Sequence, residues 1–271
     1  MRRRVQWLGH ATVVLELGGV HLLTDPALRP RLMHLRRHGP VPARPGPVEA
    51  VLISHVHHDH LDRASLRLVA SGDTVIVVPA GAAALVRDLG FAAVHEVVAG
   101  DVVTISGIEV AVVGAWHAAR RHPRAPELPA VGFVTGGIWF AGDTGLHPDL
   151  GDLRGRVDVA LVPVWGWGTS LGPGHLDPLQ AAQAVALVDP AVAVPIHWGT
   201  FLPVGQARRH GHLLQTPPRE FAGHVGQLAP ATRVEVLAPG GVLTLGEPRP
   251  VAAGRAAARG ADPRAPGGGH R

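Results

Sequence analysis

Six consecutive residues, HVHHDH at 55–60, contain four histidines and one aspartate. Imidazole and carboxylate groups are the side chains with which proteins hold Zn²⁺ and related metals. In an extended segment, His55 and His57 point to the same side, because side chains of a strand alternate with period two. A turn after His57 can bring Asp59 and His60 beside them. The spacing H-x-H-x-D-H therefore predicts ligands for two neighbouring ions, and the alternative is a polar loop.

Further ligands must come from other parts of the chain, because two ligands do not complete a tetrahedral site. Three polar residues that follow apolar, strand-like runs offer suitable groups: His117, Asp143 and His197. Taken alone, a histidine at a strand end is more often a hydrogen-bonded surface residue than a metal ligand. Together with the first cluster, they provide the number and type of ligands that two ions need. The sequence has no cysteine, which excludes thiolate ligands and disulfide bonds.

Short strands are the elements that must position these residues. TVVLEL and VHLLTD flank Gly18 and Gly19 and predict a hairpin. VEAVLIS runs into the histidine cluster, GGIWFAGD ends at Asp143, and AVAVPIHWG contains His197 near its end. The order of hairpins and strand–helix units predicts an α/β fold in which strand ends carry the site.

Three helices are predicted between the strands. DRASLRLVAS has Asp62 as its N-cap, and AGAAALVRDLG is expected to end at Gly90. The start of DPLQAAQAVALVD is the clearest, with Asp177 at the N-cap, Pro178 at the first helical position and Gln180 at the third.

Two segments have an unusual composition. Residues 26–47 contain six prolines, five arginines and no acidic residue, and they predict a long surface loop. Residues 248–271 are rich in Pro, Arg, Gly and Ala, so we expect a disordered tail after a folded domain at 1–247. The five arginines and one aspartate of this tail account for the formal net charge of +4. The predicted domain is therefore neutral, which argues against nucleic acid as a partner.

Membrane insertion is not expected from the hydropathy pattern. No apolar run approaches the roughly eighteen residues that span a bilayer. Gln6, His10, Thr12 and Glu16 also interrupt the apolar region that a signal peptide would need. We expect a soluble, cytoplasmic protein without a membrane segment.

The motifs together resemble those of a known family. HVHHDH, followed by WH, FAGDTG and IHWGTF, resembles the metallo-β-lactamase-fold hydrolases. WLGHATVVLE, LLTDP and IHWGTF are similar to the branch that contains the ascorbate-phosphate lactonases and the N-acyl phosphatidylethanolamine phospholipase D. The resemblance extends from Trp7 to Phe201. It implies a four-layer αββα sandwich of two mixed β-sheets flanked by helices.

The resemblance also implies a role for each candidate ligand. The first metal would be held by His55, His57 and His117, the second by Asp59, His60 and His197, and Asp143 would bridge the two. Di-iron oxygen-reducing relatives have glutamate at the second histidine of the motif. This chain has His57 there, which favours a hydrolase over a redox enzyme.

Three more residues have an expected role. Asp25 matches an aspartate that orients ligands from behind, and the alternative is an aspartate that starts a turn before Pro26. His175, in GPGHLDP, matches a His-x-x-Pro segment near the substrate of the branch, so it would contact a phosphate or leaving group. The alternative for His175 is an exposed loop histidine. We expect His10 to be structural.

These observations predict a metal-dependent hydrolase of a phosphodiester or lactone of a small anionic metabolite. Zn²⁺ is the expected metal, with Mn²⁺ and Fe²⁺ as alternatives. Two such ions activate water and clamp the attacked group, while Asp143 orients the water. Alternatives are a nucleic-acid-processing or nucleic-acid-binding protein on the same fold, and a non-catalytic metal-binding protein. The arginines that could attract a phosphate are Arg29, Arg31, Arg36, Arg37, Arg44, Arg120, Arg121 and Arg124.

Overall fold

Two seven-stranded β-sheets form the centre of the computed structural model, which describes residues 1–247. The predicted tail at 248–271 lies outside the described residues. In spatial order, the first sheet contains β19 (Val242–Leu245), β1 (Arg3–Gly9), β2 (Thr12–Leu17), β3 (Val20–Thr24), β6 (Ala50–Leu52), β7 (Val75–Pro79) and β8 (Ala93–Val97). The second contains β18 (Arg233–Val234), β16 (Val192–Ile196), β15 (Val159–Pro163), β14 (Ile138–Phe140), β13 (Val131–Thr135), β10 (Ile108–Gly114) and β9 (Val102–Ile105).

Each sheet is antiparallel on one side and parallel on the other. In the first sheet, β19, β1, β2 and β3 pair antiparallel, and β3, β6, β7 and β8 pair parallel. In the second, β9, β10, β13 and β14 pair antiparallel, and β14, β15, β16 and β18 pair parallel. The predicted hairpin around Gly18 and Gly19 is β2–β3. Both sheets are thus mixed, as the resemblance implied.

The described residues also form four helices. They are α1 (Arg63–Val69), α2 (Pro178–Val188), α3 (Ala207–His210) and α4 (Thr216–Leu228), with 3₁₀ turns at Ala83–Leu85, Pro148–Leu153 and Gly211–Leu214. Asp62 caps α1 by accepting from Ser65 N, and Asp177 and Gln180 form the predicted capping box of α2. None of these helices within residues 1–247 is long and apolar enough to cross a bilayer.

Three apolar layers separate the sheets and helices. Leu52 and Val77 face the layer between the two sheets, where they join Phe133 and Phe140 of the second sheet. The alternate positions of β6 and β7 face outward and pack against α1, and α2 and α4 cover the outer face of the second sheet. This period-two alternation produces the predicted αββα sandwich and confirms the fold class.

The predicted helix in AGAAALVRDLG is wrong, because only the 3₁₀ turn at Ala83–Leu85 forms there. Ala82 and Val86 are fully buried, and the backbone N–H of Ala83 donates to Glu96 of β8. Tertiary packing of this short crossover thus overrides the helix propensity of its alanines.

The predicted surface loop at 26–47 is partly wrong as well. It contains β4 (Arg31–Leu32) and β5 (Leu35–Arg37), and β5 pairs with β17 (Phe201–Pro203) in a small third sheet. Leu32 and Leu35 are buried against Phe201. The remaining strands, β11 (Ala119–Arg120) and β12 (Glu127–Leu128), pair with each other.

Candidate metal centre

The seven side chains that the sequence singled out as ligands lie together where strands of both sheets end. The HVHHDH segment follows β6 of the first sheet. His117, Asp143 and His197 follow β10, β14 and β16 of the second sheet. The site therefore lies across one end of the sandwich, between the two sheets.

Three histidines form the first group. His57 Nδ1 lies 3.0 Å from His55 Nε2 and 3.0 Å from His117 Nε2. One ring nitrogen from each residue thus points to a common position. These are the three residues expected to hold the first metal.

The second group joins Asp59, His60 and His197. The Nε2 atoms of His60 and His197 are 3.0 Å apart. Asp59 Oδ2 lies 3.7 Å from His60 Nε2 and 3.9 Å from His197 Nε2. His10 adds its Nε2 atom to the same cluster of possible ligand atoms.

Asp143 lies between the two groups. Its Oδ2 atom is 3.3 Å from His60 Nε2 and 3.9 Å from His55 Nε2, and its Oδ1 atom is 3.3 Å from His197 Nε2. The side chain is buried, and Oδ1 has no hydrogen-bond partner among residues 1–247. A buried carboxylate oxygen without a donor is costly unless a cation compensates it.

Contacts behind the histidines fix which nitrogen faces the site. Nδ1 of His117 donates to the carbonyl of Gly174, and Nδ1 of His197 donates to that of Trp165, at 2.9 and 2.7 Å. In the neutral tautomer that this requires, Nε2 presents a lone pair to the site. Such contacts orient the ligands of metal sites.

Asp25 supports the HVHHDH segment from behind. Its Oδ2 atom accepts from His60 Nδ1 at 2.7 Å and from Ser54 Oγ at 2.5 Å, and its Oδ1 atom accepts from Ser54 N at 2.8 Å. Ser54 Oγ in turn lies 3.0 Å from His55 Nδ1. One fully buried carboxylate therefore holds a histidine from each of the two groups, and its role in orienting metal ligands stays a prediction.

Burial and charge divide the ionisable groups into two kinds. Burial lowers the pKa of His55 well below its ordinary value and that of His57 to about 4, with further lowering by neighbouring histidines. Burial opposes the charged form of His60 too, but the carboxylates of Asp143, Asp59 and Asp25 together raise its pKa well above the ordinary value. The histidines of the first group are thus held neutral, whereas in the second group positive charge is drawn to His60, and burial lowers the pKa of His197.

The donor set fits metal ions. Nε2 atoms of His60 and His197 face each other at 3.0 Å beside Asp143. Their lone pairs repel unless a proton or a cation lies between them. Neutral imidazoles and carboxylates are also the protonation states in which these groups bind metals.

Three residues at the site have a strained backbone. His10, Asp25 and His197 have φ values of 55°, 34° and 63°, a region that non-glycine residues seldom adopt. Gly142, at φ 62°, precedes Asp143, and a Cβ atom there would meet Ser54 Cβ at 2.6 Å. Glycine is therefore needed to bring Asp143 against the HVHHDH segment.

Two contacts of Asp59 were not found from the sequence. Its Oδ2 atom lies 3.0 Å from His10 Nε2 and 3.0 Å from Trp167 Nε1. Burial lowers the pKa of His10 to about 3, so this histidine acts as a neutral donor. The LGHAT and WGWG stretches contain these residues, but nothing in their spacing indicates a contact with Asp59.

His175 lies at the wall of the site. Its Nε2 atom is 3.5 Å from Asp143 Oδ2, and its Nδ1 atom donates to the carbonyl of Gly172 at 3.1 Å. The side chain is about one quarter exposed, at 26%. His175 thus faces both Asp143 and the space where a substrate would enter, whereas His58 lies beside the site without joining any group of possible ligands.

A cavity of about 300 Å³ opens directly onto the site, with His57, Asp59, Asp143, His175 and His197 at its base. None of the eight arginines expected to attract a phosphate lines this cavity. Several are engaged with the protein instead: Arg29 pairs with Asp62, Arg120 pairs with Glu127, and Arg37 and Arg121 donate to backbone carbonyl groups.

The fold and site define a metallo-β-lactamase-type architecture, and comparisons with known proteins agree. The Beta-lactamase superfamily domain model matches residues 21–198. A UPF0173 metal-dependent hydrolase of Methanopyrus kandleri is 33% identical over 251 residues, which cover 88% of this chain and 97% of that protein. A UPF0173 relative from Caldivirga maquilingensis is 33% identical over 250 residues, with coverages of 89% and 97%.

The chain belongs to the metallo-β-lactamase superfamily and, within it, to the UPF0173 metal-dependent hydrolases. The structure of Igni18, a metallo hydrolase of the archaeon Ignicoccus hospitalis, has a TM-score of 0.65 and 20% identity, and covers 91% of this chain and 99% of that one. At that identity the likeness shows the fold alone. The narrower assignment to the lactonase and phospholipase branch stays a prediction.

Proposed function

We propose that this protein hydrolyses a small lactone or phosphodiester with water activated at a dinuclear metal site. His55, His57 and His117 would hold one ion, Asp59, His60 and His197 the other, and Asp143 would bridge them. Two Zn²⁺ ions, or Mn²⁺ or Fe²⁺ in their place, would supply an activated water and polarise the attacked bond. The position of the buried Asp143 between two groups of imidazoles is the observation that carries this proposal.

The protein's own side chains would orient and transfer protons around this centre. Asp143 is held rigidly behind Gly142 and has one oxygen without a donor, so it would fix the position of the attacking water. His175 donates from Nδ1 to the carbonyl of Gly172, so its Nε2, on the open side of Asp143, would take a proton from the attacking water and pass it to the leaving group. Asp25 would keep His60 and His55 in their ligating orientation.

A lactone is the better supported of the two substrate classes. Phosphate sites in proteins commonly include arginine, which binds two phosphate oxygens at once. No arginine lines the cavity within the described residues. The phospholipase-like activity and a nucleic-acid substrate are therefore the weaker alternatives.

Hydrolysis of a small panel by the metal-reconstituted protein tests this function. The panel contains a lactone, a phosphodiester, a phosphomonoester and a short RNA. Asp143→Ala should reduce turnover of the responsive substrate at least a thousandfold and lower the metal content. Asp73→Asn, a carboxylate change on an exposed loop, serves as the control and should retain both. Wild-type turnover and metal content in Asp143→Ala would show that the bridging role is wrong.

A further inference from the structure

The cavity above the candidate metal centre has two walls that the sequence did not reveal. One is the β4–β5 hairpin, which contributes Leu32, Met33, His34 and Leu35. The other is the loop that follows β15, which contributes residues between Gly166 and Gly172, including Trp167 and Leu171. The two walls meet where the ring of His34 lies edge-on to Trp167, with 5.1 Å between their centroids.

The walls are mainly apolar. Leu32 and Leu35 are buried, and Met33, at the tip of the hairpin, is 65% exposed at the cavity mouth. Trp167 and Leu171 face them from the other loop. Apart from histidines, the charged residues among the described lining residues are Asp59 and Asp143, both part of the candidate centre.

The hairpin is firmly anchored. β5 pairs with β17, and Leu32 and Leu35 pack with Phe201. Arg37 is buried, lies 4.7 Å from the centroid of the Phe201 ring, and donates to backbone carbonyl groups beneath the hairpin. Alternation along the strands leaves Arg31 and Arg36 exposed on the outer side. The fold therefore holds this apolar wall in place. Arg31 and Arg36, which carry exposed positive charge on the hairpin, do not line the cavity.

We propose that this cavity binds an uncharged, apolar alkyl or acyl group, so that the substrate is a lactone or ester carrying such a group. This inference rests on the proposed function and names its substrate class. In the reaction, the oxygen of water forms a bond to the carbonyl carbon, and the bond from that carbon to the ester oxygen breaks. A proton from the water passes to the leaving oxygen, and the products are a carboxylic acid and a hydroxyl group.

A series of δ-lactones with unbranched side chains of one to six carbons tests the proposal on the metal-reconstituted protein. Each added methylene should raise kcat/KM about two- to fourfold until the cavity is filled, as expected for transfer of a methylene from water to an apolar surface. A δ-lactone with a phosphate on the side chain should react more slowly than the butyl compound.

Substitutions in the two walls identify where the side chain binds. Met33→Ser and Leu171→Ser should flatten the dependence of kcat/KM on chain length. Leu68→Ser, at an exposed position of α1, is the matched control and should keep the full dependence. A dependence that is equally steep in all three variants would overturn the assignment of these walls.

A binding measurement separates this inference from the proposed function. In calorimetry with the metal-loaded protein, octanoate should bind at least tenfold more tightly than acetate, and Met33→Ser should reduce that ratio. If lactones are hydrolysed at rates independent of chain length, or the phosphate-bearing lactone is fastest, the apolar site is refuted and the hydrolase function stands. If no panel substrate reacts, the proposed function fails, and equal binding of octanoate and acetate would then refute the apolar site as well.

Discussion

At the scale of single residues, the candidate centre is organised by groups that do not themselves face the proposed ions. Asp25 holds His60, and through Ser54 it also holds His55. Carbonyl groups hold His117 and His197 in the same way. Each contact selects the tautomer that presents a lone pair to the site. The orientation of these histidines is therefore set by the protein itself.

His10 is expected to position Asp59. Because Asp59 Oδ2 lies 3.0 Å from His10 Nε2, His10→Ala should release the carboxylate and weaken binding of the second ion about 10- to 100-fold. Titration of the loaded protein with a chromophoric chelator should then remove one ion per chain early and leave the other in place. His10→Gln, which retains a donor, should restore part of the affinity.

A control variant shows whether the effect of His10→Ala is specific to the metal site. His21→Ala alters a partly exposed histidine of β3, far along the strand from the site, and should leave the chelator titration unchanged. If His10→Ala released both ions together, or neither, the residue would have a purely structural role, as its sequence context predicted.

The convergence of the candidate ligands was predictable from the sequence, whereas the contacts around them were not. H-x-H-x-D-H is a local pattern, and His117, Asp143 and His197 each follow an apolar run that reads as a strand. The contact of Trp167 with Asp59 joins residues 108 positions apart and depends on the path of two loops. No period or spacing in the chain encodes such a contact.

At the scale of elements, helix starts were predicted correctly where a local hydrogen-bonding motif marks them. Elements were predicted wrongly where tertiary packing determines the conformation. The capping box of α2 is formed as predicted, because Asp177 and Gln180 interact with each other's backbone. The alanine-rich crossover around Ala83 has comparable propensity but no such cap, and burial against the sheet determined its conformation. The β4–β5 hairpin escaped prediction because its arginines and the prolines on either side of it mask two inward-facing leucines.

Removal of the N-cap of α2 should measurably lower the stability of the protein. Asp177→Ala leaves the backbone N–H of Gln180 without its acceptor, and should lower the free energy of unfolding by about 1 kcal/mol. Urea denaturation should show a lower midpoint with an unchanged m value. Asp73→Ala, on an exposed loop, should change stability by less than about 0.5 kcal/mol. Equal stability of the two variants would mean that the cap contributes nothing.

At the scale of the whole molecule, the two sheets are joined at both ends by polar groups. At one end Arg3 of β1 forms a buried, bidentate pair with Asp158, just before β15, at 2.9 and 2.8 Å. At the other end, beyond the C-terminus of β15, the first sheet contributes the HVHHDH segment and the second sheet contributes the remaining candidate ligands. Ions in the candidate centre would therefore link the sheets opposite the Arg3 pair.

Removal of metal should accordingly destabilise the entire fold. A ligand at about 100 times its Kd stabilises the native state by about 2.7 kcal/mol, which corresponds to about 5–10 °C in Tm for a chain of this size. We expect a chelator to lower the calorimetric Tm by that amount and Zn²⁺ to restore it, with metal content followed by mass spectrometry. Asp143→Ala should show a much smaller response to both. A Tm that stays constant while two ions per chain are removed would contradict a centre that spans both sheets.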